Sequence, residues 1–204
     1  MWETFKEQTI SCRKCGLKNI LDSAAFPLFM RNEPKNTDIL FIWEAPNRDD
    51  TYNSNKQYIT VDFTTDPSGS FFYDLFVNEL KLNIDEYLFV TNSVLCLPAC
   101  KNGKYPVSIG QMRNCSTILV EMIATFHPRI VCPLGTKALK ATSLIEDHGY
   151  GSMSKAVSNV TKWYGRILYP LYHTSPLARN PRNGRPENMQ RKDWKNLRRV
   201  FESI

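Results

Sequence analysis

The sequence predicts an α/β protein, a three-layer α/β/α sandwich around a central, mostly parallel, four-stranded sheet. Three observations carry that expectation. Short apolar runs recur along the chain without polar alternation, the pattern of strands buried on both faces. Segments with helical spacing of apolar residues separate them, and such alternation packs as a parallel sheet covered on both sides. The 204 residues suffice for a sizeable core, and the expectation is a single domain over residues 1–204.

The first strand lies within Asp38–Pro46, where five consecutive apolar residues follow Asp38. Pro46 has no N–H for a ladder and disfavours helix at Ala45, so the strand ends there. Glu44 is left at the carboxyl edge, where open α/β sheets gather ligands. Tyr87–Val90 is the second run and leads into Thr91-Asn92. The third, Arg129–Leu134, contains Cys132, whose ordinary reading is a buried free thiol. The fourth, Ile167–Tyr172, delivers His173. If these strands are parallel, a carboxylate, a carboxamide and an imidazole share one rim.

Helices are expected over Trp2–Thr9, Phe71–Leu80, Ser108–Phe126, from Gly135 through Ala141, and over Pro186–Phe201. Ser68 or Ser70 can cap the second of these. Gly69 beside them leaves room for backbone amides to approach an anion such as a phosphate. Asn47–Gln57 reads as a polar loop. Leu144–Gly165 is the least legible stretch, with Gly149 and Gly151 marking turns.

No stretch approaches the roughly 18–20 apolar residues of a membrane span. The opening residues lack the apolar core of a signal peptide, so a cytoplasmic location without membrane attachment is expected. In a reducing compartment the six cysteines are thiols or metal ligands rather than disulfides. Cys12-Arg13-Lys14-Cys15-Gly16 is the tight turn that lets two thiolates face one metal. A redox pair would want a strand before it and a helix after it, and Leu17–Pro27 reads as a loop. The formal net charge is +6, and from His173 onward eight Arg or Lys stand against three acids. A solvated helix face explains part of that excess. Its position directly after His173 favours a polyanionic partner, because phosphate contacts gain from counterion release.

Taken together, these motifs resemble the uracil-DNA glycosylase superfamily, most closely its iron–sulfur-containing family 4. The family's first motif, Gly-Glu-Ala/Gly-Pro-Gly, stands here as Trp43-Glu44-Ala45-Pro46-Asn47. Its Thr-Asn strand end with a following Cys and Pro is similar to Thr91-Asn92-Ser93-Val94-Leu95-Cys96-Leu97-Pro98. Leu134-Gly135 matches its Leu-Gly after the third strand. Tyr172-His173-Thr174-Ser175-Pro176 resembles its closing Tyr-His-Pro-Ser segment, and Arg179-Asn180-Pro181 also fits.

The resemblance implies a uracil-DNA glycosylase-like fold and a monomeric hydrolase that acts on DNA. The enzyme would extrude a base from the stack and cleave its N-glycosidic bond, leaving an abasic site. It assigns His173 and Glu44 to catalysis and Asn92 to the pyrimidine edge, with Ala45, Pro46 and Asn47 in the turn against the base. Ser68, Gly69, Ser175, Pro176, Leu177 and Arg179 fall to DNA contact, Leu177 as the wedge that fills the vacated stack. Cys12, Cys15, Cys96 and Cys115 would hold a [4Fe–4S] cluster, with zinc the lesser alternative and Cys100 a substitute for Cys96.

Three departures stand out. Trp43 and Asn47 replace glycines of the first motif. The segment from Pro46 to Gly69 is longer than the family's. The phenylalanine that stacks on uracil in the family has no clean match, leaving Phe63 as the candidate and Tyr58 as a lesser one. The alternatives are the same reaction on a different or modified base, or an inactive iron–sulfur protein that binds DNA.

Overall fold

The computed structural model describes residues 2–15, 29–30, 33–46, 58–59, 63–98 and 101–204. Gly16, Asn47, Cys100 and the loops expected at 17–27 and 47–57 lie outside the described residues. The first half of the chain contains α1 (Trp2–Ile10), β1 (Phe29–Met30), β2 (Ile39–Trp43) and β3 (Tyr58–Ile59). Next come α2 (Pro67–Asp74), which runs on as a π-helix over Leu75–Leu80, then α3 (Ile84–Tyr87) and β4 (Val90–Asn92). The second half holds α4 (Ile109–Phe126), β5 (Ile130–Pro133), α5 (Thr136–Ser143) and α6 (Met153–Ala156). It closes with β6 (Thr161–Trp163), β7 (Arg166–Leu168), a 3-10 turn (Pro176–Arg179) and α7 (Glu187–Glu202).

The main sheet has five strands in the order β4-β2-β5-β7-β6. The four expected strands are all present and parallel to one another. The fifth, β6, was not anticipated; it pairs antiparallel with β7 and comes from the stretch that was least legible. Its hairpin turns through Tyr164 and Gly165, both at positive φ (46° and 68°), as a tight two-residue turn requires. A small separate sheet pairs β1 with β3.

Alternation along the strands divides the core into two layers. Leu40, Ile42, Val131 and Leu168 face α1, α4 and α5, while Ile39, Phe41, Cys132 and Leu171 face α2, its π extension and α7. Both faces of the sheet are covered, which explains the unbroken apolar runs. Cys132 is fully buried in β5, as its sequence position suggested.

Three local expectations are corrected. Tyr87 ends the short helix α3 rather than beginning a strand, and β4 starts at Val90. Helix α2 begins at Pro67 rather than Phe71, and its cap is Asp66, whose carboxylate accepts from the Gly69 N–H at 2.7 Å. Asp before a first-turn Pro is the better start signal, because Pro supplies the helical φ and needs no N–H partner there. Helix α4 matches its expected span, with Ser108 and Gln111 forming a reciprocal capping box.

Candidate active site

The strand register brings three of the expected residues to one edge. Trp43, the last residue of β2, is the register partner of Asn92, the last residue of β4. The next residues stay tied together: Ser93 N–H donates to the Trp43 carbonyl (2.7 Å), and Val94 N–H and the Ser93 hydroxyl donate to the Glu44 carbonyl (3.1 and 2.6 Å). On the other side of β2, Leu134 N–H donates to the Ile42 carbonyl, and Gly135 N–H reaches the Leu171 carbonyl at 2.8 Å. Gly135 has a φ of +87°, and a Cβ there would meet the His173 Cβ at 3.2 Å. Glu44, Asn92, Gly135 and His173 therefore follow the carboxyl ends of adjacent parallel strands.

Asn92 is buried, and its Oδ1 has no hydrogen-bond partner among the described residues. A buried carbonyl oxygen left unpaired costs about 1–3 kcal/mol, so its persistence points to a partner supplied from outside. His173 is held in one tautomer. Its Nδ1 accepts from the Ser175 backbone N–H at 3.0 Å, which leaves Nε2 to carry the proton of the neutral ring. Burial lowers its pKa, and the facing Asp66 carboxylate offsets part of that. Glu44 is half-buried; burial raises its pKa, and the ammonium of Lys137 in the first turn of α5 pulls it back. Lys137 also donates to the Val107 carbonyl at 3.4 Å.

The turn after His173 is built to project one side chain. Ser175 caps the 3-10 helix with its hydroxyl, and Leu177 is 78% exposed, the most exposed large apolar residue of the described chain. Gly184 packs so closely beneath this turn that a Cβ would lie 2.2 Å from the Ala178 carbonyl oxygen. Arg179, expected at DNA, is engaged within the protein. Its guanidinium donates to Glu187 (2.6 Å) and to the Pro67 carbonyl (3.4 Å), and lies 4.6 Å from the centroid of Phe71. Gly69, expected to offer its amide to an anion, gives it to Asp66. Ala45 is half-buried and Pro46 buried beside the rim, and Ser68 and Pro176 are at least partly exposed. Phe63 stacks nearly parallel to Phe72, with centroids 6.5 Å apart, and touches Tyr73.

Sequence reasoning missed three contributors. Asp66 faces His173, and its signal was the Asp-Pro helix start. Lys137 modulates Glu44 without any sequence motif. Gln190 of α7 is buried and spans the carbonyls of His173 (3.5 Å), Ala178 (3.5 Å) and Arg185 (3.0 Å), tying the turn to the helix.

The expected metal ligands gather at a second locus. Cys96 and Cys115 are buried, and Cys12 and Cys15 half-buried. The Cys96 thiol is pushed up to about 12, by burial first and then by Cys115, Cys15 and Cys12 around it. Burial likewise pushes the Cys115 thiol up to about 11. Asn114 of α4 donates to the Cys15 sulfur at 3.5 Å and to the Lys14 carbonyl at 3.3 Å, and Lys14 donates to Thr117 at 2.7 Å, so the Cys12–Cys15 turn is docked on α4. Among the described residues, no three His, Cys, Asp or Glu side chains converge closely enough to hold a single metal ion.

Fold and rim together define an α/β/α sandwich that presents a hydrogen-bonding site at the carboxyl ends of its parallel strands. A family model described as the uracil DNA glycosylase superfamily matches residues 30–198, and the chain belongs to that superfamily. It is 25% identical over 187 residues to the type-4 uracil-DNA glycosylase of Sulfurisphaera tokodaii, a match covering 88% of this chain and 76% of that protein.

Proposed function

We propose that this chain is a DNA glycosylase that hydrolyses the N-glycosidic bond of uracil in DNA and leaves an abasic site. The observation that carries this reading is the buried Oδ1 of Asn92, without a hydrogen-bond partner among the described residues and so open to the ring N–H of an extruded pyrimidine. As the bond from sugar to base breaks, its electron pair goes to the base and charge builds on a ring carbonyl. The Nε2–H of His173 is the donor for that oxygen, an effect commonly worth about 3–4 kcal/mol. Water supplies hydroxide to the sugar carbon and a proton to the departing base. Glu44 orients that water or supports the cationic sugar. Ala45 and Pro46 lie against the base, Asn47 is assigned to it with them, and Phe63 supplies an aromatic wall. Leu177 fills the vacated stack while Ser68, Ser175 and Pro176 meet the backbone, with Arg179 bracing their turns. Cytoplasmic action as a monomer accords with this role.

Cys12, Cys15, Cys96 and Cys115 are proposed to hold a [4Fe–4S] cluster. The donor chemistry fits, since Cys12 and Cys15 from one turn and Cys115 from α4 all lie near enough to the buried Cys96 to raise its thiol. When bound, the cluster supplies a cross-link between the N-terminal turn, the loop after Asn92 and α4.

The test is a panel of oligonucleotides, each with one altered base, treated with alkali to reveal base loss. Strand cleavage at uracil is expected, reduced about 100-fold or more by Asn92→Ala or His173→Ala. DNA binding without base loss from any member of the panel overturns the enzyme reading. The purified protein should show the broad visible absorbance of an iron–sulfur centre, lost in Cys12→Ser; a colourless, zinc-containing protein rejects the cluster.

A further inference from the structure

Between Asn92 and His173 on the site's face of the sheet lie Trp43 and then Leu134, and Trp43 carries a polar atom without a partner among the described residues. Side chains alternate along a strand, so Trp43 lies on the face of Ile39 and Phe41, and its register partner Asn92 lies on the face of Val90. His173 continues the alternation of Tyr169 and Leu171 on that same face. In strand order Asn92 ends β4, Trp43 ends β2, and His173 follows β7 beyond β5. Three inter-strand steps separate the backbones of Asn92 and His173, about 14 Å. A ring touching both residues must cross Trp43 and Leu134.

Asn92 Oδ1 and Trp43 Nε1 are both buried, and both lack a partner among the described residues. One is an acceptor and the other a donor, on adjoining register positions. The indole is fixed in place, meeting Phe72 edge-to-face with centroids 5.3 Å apart at 85°. A buried donor and a buried acceptor on paired register positions, neither answered among the described residues, are costly separately and are relieved together by one ligand that offers the complementary pair.

We infer that Trp43 is a specificity-determining residue of the base site. The inference rests on the glycosylase reading. Its N–H donates to the exocyclic oxygen of a pyrimidine whose adjacent ring N–H donates to Asn92 Oδ1. This edge belongs to uracil and its ring-substituted relatives. Cytosine presents the opposite pattern there, an acceptor at the ring nitrogen and a donor outside it, and would leave both protein groups unpaired. The bulk of the indole closes the space between Asn92 and His173 to a single six-membered ring and shuts out fused purines.

The test uses the full chain as purified, with steady-state kinetics on oligonucleotides containing uracil or hypoxanthine. Trp43→Phe keeps the ring and removes the donor. It should raise KM for the uracil substrate about 3–10-fold, with a smaller change in kcat and an unchanged thermal unfolding midpoint. Trp43→Gly opens the space and should gain cleavage at hypoxanthine, which the parent protein leaves intact. A Trp43→Phe variant with the parental KM overturns the donor role, and a Trp43→Gly variant that still ignores hypoxanthine overturns the size filter. If the parent removes uracil and both variants keep its behaviour, the inference fails alone. If the parent removes no base at all, the glycosylase reading fails and takes the inference with it.

Discussion

At the scale of single residues, the rim depends on two ionisable groups pushed in opposite directions by the same cause. Burial favours the uncharged form of each, lowering the pKa of His173 and raising that of Glu44. His173 therefore stays a neutral donor to a lower pH than an exposed histidine would. Glu44 protonates at a higher pH than an exposed carboxylate, so if its charge is needed, the acid limb of the kcat/KM profile belongs to Glu44. Lys137 opposes the effect of burial on Glu44. Lys137→Met should therefore move the acid limb to higher pH, measured as a pH–rate profile on a uracil oligonucleotide. A limb that stays in place would show that Glu44 is not the titrating group. Glu44 and His173 could be read in the sequence because each ends an apolar run. Their electrostatic neighbours, Lys137 and Asp66, could not, because they come from helix starts that meet the rim only after folding.

At the scale of elements, α7 holds the turn that follows His173. Gln190, Asp193, Trp194 and Leu197 are its buried positions, a helical stripe in which two of four are polar. Asp193 is 2% exposed and answered by Arg185 through both oxygens (2.6 and 2.7 Å) and by the Ser158 hydroxyl (2.6 Å). Removing one member of such a pair strands a buried charge, typically costing about 3–5 kcal/mol. Arg185→Met should lower stability by that order in urea or thermal unfolding, whereas Arg198→Gln, which breaks an exposed pair with Glu202, should cost less than about 1 kcal/mol. The sequence showed this segment only as a basic helix. Polar residues on the inward stripe look like solvent-facing ones until their partners, distant in sequence, are known. The strands were easier to read, since burial on both faces leaves only apolar residues. β6 has one buried residue out of three and carries no such mark.

Across the whole molecule, the basic tail is less free than its composition suggested. Arg179 pairs with Glu187, Arg185 with Asp193, Arg191 with Asp74 and Glu79, Lys195 with Glu79, and Arg198 with Glu202. Arg182, Lys192 and Arg199 have no carboxylate partner among the described residues. DNA affinity should then depend on salt less steeply than eight free cations would require. Substituting one free cation that meets a phosphate should lower the log–log slope by about 1, while Arg198→Gln should leave it unchanged. Titration of a labelled oligonucleotide at several salt concentrations measures this for Arg182→Gln and Arg198→Gln. The net charge was visible in the sequence, but its internal neutralisation was not, because Asp74 and Glu79 lie more than a hundred positions from Arg191.

The sheet order has one more consequence. Among the described residues Asn92 ends a three-residue strand at one end of the five-strand order, whereas the strand before His173 is flanked on both sides. An incoming ring would thus be read at the margin of the sheet and its charge drawn off nearer the middle. Such a division would let the reading of the base change by substitution without displacing the imidazole.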